Sequence, residues 1–388
     1  MEVHRAPIQQ QEIVIGGGAD DKRPRTRFGY LVPEAYAYYE QALGESGAVA
    51  SGKVLHFAAD LICSGGLDIW IRGAYSYAIQ KIGLASPRVV VYLRQRCGEL
   101  DKKMEVLPQE GFYSHPDVQT IVSEAVLVLQ IAPRRAKVVW PKIDDNAKRP
   151  GWLRGVASAH ETAAVKRVWS SDGDQAPLYL VGNELCKAIS EGATERALFW
   201  TRWVLEEDAR IRKDTKGHGL STRDRGPPEA SPKARTEAGH YIADLLREVY
   251  RELASKQLVR MHEEFTELWN LWRGSEKRMP ARLRRDCLGI MIQICCEVPK
   301  WKVPAAPPLV PDPVRLSRAV GQAGIFFREV LSCPSLPPEK SLKPKMMKGE
   351  RKTKSKKSLT DKEEKEMSLD EHLSAYDAAM EAYLNKFS

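Results

Sequence analysis

Glu195–Lys213 reads ERALFWTRWVLEEDARIRK, and this stretch decides the fold class. Trp200 and Trp203 stand three residues apart, which puts both indoles on one face of a helix. Glu206/Arg210 and Asp208/Arg212 stand four apart, the spacing at which opposite charges pair across a solvated helical face. The same pairing removes the acidic run Glu206-Glu207-Asp208 from consideration as a metal cluster. Gly192 ends the preceding helical run, Tyr179–Ser190, and Thr194 is placed to cap the new one.

Moving outward, the pattern repeats in both directions. Leu67, Ile71, Ala74, Ala78 and Ile82 mark one helical face. Pro33 suits the first turn of a helix through Glu34–Tyr39. Ser86-Pro87 and His115-Pro116-Asp117 are start signals for helices carrying Val89–Leu100 and Val118–Leu129. The β-branched run Val126–Ile131 has strand character, but its continuity from Pro116 favours helix. A helix is expected around Ser158–Trp169, and further helices over Thr236–Ala254, Gln257–Arg273, Pro280–Val298 and Val314–Leu331. The expectation is an all-α protein, a multi-helix bundle or two packed helical lobes.

Punctuation between these runs divides the chain. Residues 1–30 are polar and read as a flexible N-terminal arm. Residues 31–213 form one helical lobe and 234–332 a second. Between them, 214–233 is rich in Gly, Pro, Ser and charge and reads as a linker loop too polar to pack. Residues 333–367 form a Lys/Pro-rich linker, and 368–388 an isolated amphipathic C-terminal helix. Leu369, Leu373, Tyr376, Met380 and Leu384 fall on one stripe of that helix, which suits docking on a protein partner.

Charge is distributed unevenly. The chain of 388 residues carries a net +9. Lys340–Lys357 holds eight Lys, one Arg and one Glu, a net of +8, whereas Ser358–Ser388 carries −5. The remaining body is only mildly basic. A mobile polycation meets phosphates without reading bases, so Lys352, Lys354, Lys356 and Lys357 are candidate contacts to nucleic acid. Arg134, Arg135 and Lys137 in the basic connector 132–150 are further candidates.

Several near-motifs fail on a required residue. Gly47–Lys53 fits a phosphate-cradling loop until Val54 stands where a magnesium-binding hydroxyl is needed, and a helix rather than a strand precedes it. His262-Glu263 and His160-Glu161 open like zinc-protease motifs, yet Thr266 and Ala164 replace the second histidine. The seven cysteines are odd in number, widely spaced and lack any CxxC, which points to reduced thiols and an intracellular, reducing compartment. Cys287, Cys295 and Cys296 lie in an apolar run and read as packed thiols. No stretch reaches the roughly 18 apolar residues of a membrane span. No cofactor or catalytic site is expected. The second WxxW pair, Trp269/Trp272, fits core packing or an aromatic platform for a partner or for stacked bases.

Two resemblances follow from particular runs. Tyr75–Arg96, YSYAIQKIGLASPRVVVYLRQR, and Glu184–Lys213 with its ALFWTRWVLEED resemble segments of helical proteins from large double-stranded DNA viruses of algae and amoebae. That resemblance implies a viral origin, location in host cytoplasm, nucleus or virion, and a place in genome replication or the virion. Leu185–Leu205 is similar to the helical collar of polymerase clamp-loader subunits, which implies a degenerate subunit without a working ATPase. The reading that results is a non-catalytic scaffold or adaptor contacting nucleic acid non-specifically. Its alternatives are a structural virion protein held by protein contacts and a clamp-loader-like replication subunit.

Overall fold

Fourteen α-helices are present in a computed structural model that describes residues 24–149, 151–157, 160–215, 219–274, 281–297, 309–310 and 313–333. They are α1 (Val32–Gly44), α2 (Ala48–Cys63), α3 (Leu67–Tyr77), α4 (Arg88–Val106), α5 (Pro116–Ile131), α6 (Trp152–Val156) and α7 (Ala163–Val168). There follow α8 (Ala176–Ser190), α9 (Thr194–Asp214), α10 (Pro232–Arg235), α11 (Ala238–Ser255), α12 (His262–Trp272), α13 (Ala281–Glu297) and α14 (Pro313–Ser332). No strand occurs among the described residues; one isolated bridge joins Arg25 and Leu31. The protein is all-α.

Local chemistry explains most boundaries. The His115 imidazole accepts from the Asp117 N–H and Pro116 occupies the first turn, so α5 starts where its sequence signal stands. The β-branched run Val126–Ile131 completes α5, as a helix. Gly192 adopts φ +66° and ends α8, a conformation glycine takes without a side-chain clash. The cap of α9 differs from expectation: Thr194 is its first helical residue, Ala193 precedes it, and no side chain caps the end. Likewise Ser86 lies one residue before the cap of α4, which Pro87 occupies. The helix expected over Ser158–Trp169 shortens to α7, because the Thr162 hydroxyl takes the Val165 N–H and fixes the start there.

The buried side chains form one continuous hydrophobic cluster from Val32 to Val330. Helix α5 is wrapped by α1, α2, α4 and α14, while α11 and α13 pack on each other and on both α9 and α12, and α12 also lies against α4. Helix α14 therefore returns across the chain to cover α2 and α5.

Parts of the stretches expected to be a flexible arm and a linker loop are anchored. Residues 24–31 dock on α2: the Phe28 N–H donates to Asp60 Oδ1 at 3.2 Å, the Arg27 N–H to Ser64 Oγ at 2.8 Å, and Arg27 Nε to the Cys63 carbonyl at 2.9 Å. Residues 1–23 of the expected arm lie outside the described residues. In the expected linker, Leu220, Thr222 and Arg225 are buried. The Arg225 guanidinium finds its partners far away in sequence, at Val168, Asp174 and Asp244, which composition within the segment cannot reveal.

Candidate nucleic-acid interface

Helices α11, α12 and α13 pack together, and there the guanidinium groups of Arg247, Arg273 and Arg284 meet the indoles of Trp269 and Trp272. The spacing of Trp269 and Trp272 sets both on the same side of α12. Trp272 is buried at 7% exposure and its ring lies on Gly239 of α11, where an added Cβ would stand 2.5 Å from Trp272 Cζ2. Trp269 is half-buried toward the rim. Helix α12 then stops at Gly274, which has φ +85°.

The arginines are laid against these rings. Arg247 of α11 places its Cζ 4.5 Å from the Trp269 ring centroid, and Arg273 places its own at 4.6 Å. Arg284 of α13 lies 5.2 Å from the Trp272 centroid and donates from Nε to the Trp272 carbonyl at 2.5 Å. Arg285 lies 5.5 Å from the ring of Trp140. That indole arrives on the connector 132–150 and is fixed there: Trp140 Nε1 donates to Asp286 Oδ1 at 3.1 Å, and Arg202 donates to the Trp140 carbonyl at 3.1 Å. Among the described residues, no ion pair joins Arg247, Arg273 or Arg285 to a carboxylate, whereas Arg251, one turn on from Arg247, pairs with Glu248 at 3.3 Å. Carboxylates of these helices have other partners: Asp244 takes Arg225, Glu248 takes Arg167 and Arg251, Glu267 takes Arg94, and Asp286 takes Trp140 Nε1, while Glu237 has its pKa pushed up by burial, against the pull of Arg212 and Arg284.

His240 reports the resulting field. It is 3% exposed, and its pKa falls to about 4, first through burial and then through the charges of Arg284, Arg273 and Arg225. Guanidinium groups held on indole faces keep their charge and their N–H donors. Such a surface can take phosphate oxygens in forked pairs and has no built-in preference among bases.

The residues singled out in the sequence fall unevenly on this geometry. Arg134 caps the end of α1, donating to the carbonyls of Gly44 at 2.5 Å and Leu43 at 2.9 Å. Arg135 makes a bidentate pair with Glu297 at 2.8 and 2.9 Å. Lys137 is exposed, on the connector that delivers Trp140 to α13. Lys352, Lys354, Lys356, Lys357, Leu369, Leu373, Tyr376, Met380 and Leu384 lie outside the described residues. Arg247, Arg273, Arg284 and Arg285 do not stand out in the sequence reading, although a signal is present. Directly after Trp269/Trp272, the run Arg273–Arg285 holds six basic residues and one acid.

The other near-motifs find structural roles. Trp200 and Trp203 are 6% and 7% exposed, pack with Trp152, and belong to the core. Lys53 of the Gly47–Lys53 run pairs with Glu45 at 3.5 Å, and the run opens α2 directly after α1. His262 Nδ1 bonds Tyr250 Oη at 2.9 Å, and no group of three metal-binding side chains occurs among the described residues. The Asp208/Arg212 pair forms at 2.9 Å, but Asp208 is buried rather than solvated. Glu206 and Arg210 part company: Arg202 takes Glu206, and Arg210 takes Glu207 and Asp214. Burial pushes the thiols of Cys186 and Cys296 up to about 11. No helix among the described residues is long and apolar enough to cross a membrane.

Comparison with known proteins finds no matching family model, no similar curated protein and no similar solved structure.

Proposed function

We propose that the protein is a helical scaffold that holds nucleic acid by its backbone, through the guanidinium–indole face of α11–α13. The Lys-rich segment 340–357 is a second contact, and the stripe over 368–387 docks on a protein partner. The observation that carries this reading is the set Arg247, Arg273 and Arg285, each laid on an indole and lacking a carboxylate partner among the described residues. Three exposed arginines elsewhere are neutralised: Arg167 by Glu248 and Glu252, Arg210 by Glu207, and Arg135 by Glu297. The resemblance of two runs to helical proteins of large DNA viruses supports placing the scaffold in the handling of a viral genome.

The test is fluorescence anisotropy of labelled duplex DNA at several salt concentrations, with the full chain and with a chain ending at Leu336. The reading expects the shorter chain to keep salt-sensitive binding, with a shallower slope of log affinity against log salt. Loss of all binding in the shorter chain would move the contact to the tail. No binding by either would favour a structural role held by protein contacts.

A further inference from the structure

Resting on the proposed backbone-binding face, we infer that Trp269 is its positioning residue: it holds the guanidinium groups of Arg247 and Arg273 ready for adjacent phosphates and touches no phosphate itself. Arg247 projects from the exposed side of α11, and Arg273 sits just past the end of α12. Free in solvent, each of these long side chains would lose considerable rotamer freedom on meeting a ligand. The indole removes much of that loss beforehand, since both Cζ atoms lie within 4.6 Å of its centroid. A carboxylate could hold an arginine equally well, but it would cancel the charge and occupy the N–H fork, as Glu297 does to Arg135. An aromatic face attracts the cation and leaves both intact. The indole N–H plays no part in binding, because Trp269 Nε1 is buried without a partner. What Trp269 offers outward is a ring bearing two cations, so the ligand class is a phosphodiester backbone, read without regard to base identity.

This assignment separates affinity from salt dependence. Replacing an arginine removes a released counterion, whereas replacing Trp269 removes only the preparation of two arginines. The experiment titrates labelled duplex and single-stranded DNA of the same sequence against the full chain over a range of salt. It is run in a background where Lys352, Lys354, Lys356 and Lys357 are glutamine, which halves the net charge of the Lys-rich segment from +8 to +4. Trp269→Leu is expected to bind duplex roughly tenfold more weakly at fixed salt, with an unchanged salt slope. Arg247→Gln/Arg273→Gln is expected to flatten the slope by roughly 1.8, at about 0.9 for each phosphate that is no longer neutralised. Trp269→Phe keeps an aromatic face and should recover most of the affinity; it also serves if the leucine variant fails to fold. The inference is overturned if Trp269→Leu binds duplex as tightly as the parent, or if its slope falls as far as in the double arginine variant. It is equally overturned if Trp269→Phe binds no better than Trp269→Leu, or if only single-strand binding suffers, which would mark direct base stacking. Absence of salt-sensitive binding in the parent chain would instead remove the proposed function on which the inference rests.

Discussion

The guanidinium of Arg225 and the carboxylate of Asp174 form an ion pair with both side chains buried, at 3% and 0% exposure. Arg225 also donates to the Val168 carbonyl at 2.8 Å and to Asp244 at 3.2 Å, and it lies over the Tyr241 ring. Asp174 accepts in addition from the N–H groups of Ser170 at 2.9 Å and Arg223 at 3.0 Å. Arg225 thus ties its stretch to the end of α7, to the turn before α8 and to α11.

Breaking such a pair from one side strands a buried charge, which costs about 3–5 kcal/mol. Arg225→Met is therefore expected to lower the unfolding free energy by about that amount, measured by urea denaturation. Adding Asp174→Leu should restore part of the loss, because no charge is then left alone. A single variant with wild-type stability would show that the pair contributes nothing to the fold.

His240 provides a titration probe of the face. Its depressed pKa means that the folded protein resists protonating it. The associated stability is therefore complete above pH 6.5 and is lost as pH falls toward about 4. Integrated over that window the loss is about 3 kcal/mol. Arg273→Gln removes one positive neighbour and should raise the His240 pKa, followed through its imidazole NMR signals. A His240 that titrates at its ordinary value in the parent would show that neither burial nor the guanidinium field acts on it.

Gly239 permits the seating of Trp272 on α11. Adding a methyl there forces the indole out of a well-packed site, so Gly239→Ala should destabilise the protein by about 1–3 kcal/mol. Thermal denaturation checks the stability loss, and a red shift in tryptophan emission checks the displacement. An unchanged melting temperature would contradict the packing described.

The helical fold is legible in the sequence because its signals are local. His115-Pro116 starts α5 where the dipeptide stands, and Gly192 ends α8 where a left-handed residue is required. The candidate interface is only half legible. The Trp269/Trp272 spacing shows that two indoles share a face, but not that Trp272 is buried on Gly239 while Trp269 stays at the rim. That difference depends on α11, which approaches from elsewhere in the chain. The same limit applies to Arg225, whose partner Asp174 is 51 residues away. Charge alone does not separate Arg135, neutralised by Glu297, from Arg285, which lies on Trp140.

The central claim is that the α11–α13 face, and not only the Lys-rich tail, binds the nucleic-acid backbone. Its most direct test is the salt slope of duplex binding by the chain ending at Leu336, compared with the same chain carrying Arg247→Gln, Arg273→Gln and Arg285→Gln. The account predicts measurable binding by the shorter chain, and a slope in the triple variant flatter by roughly 2.7, at about 0.9 for each phosphate left without its arginine. Equal slopes and equal affinities in the two chains would contradict it.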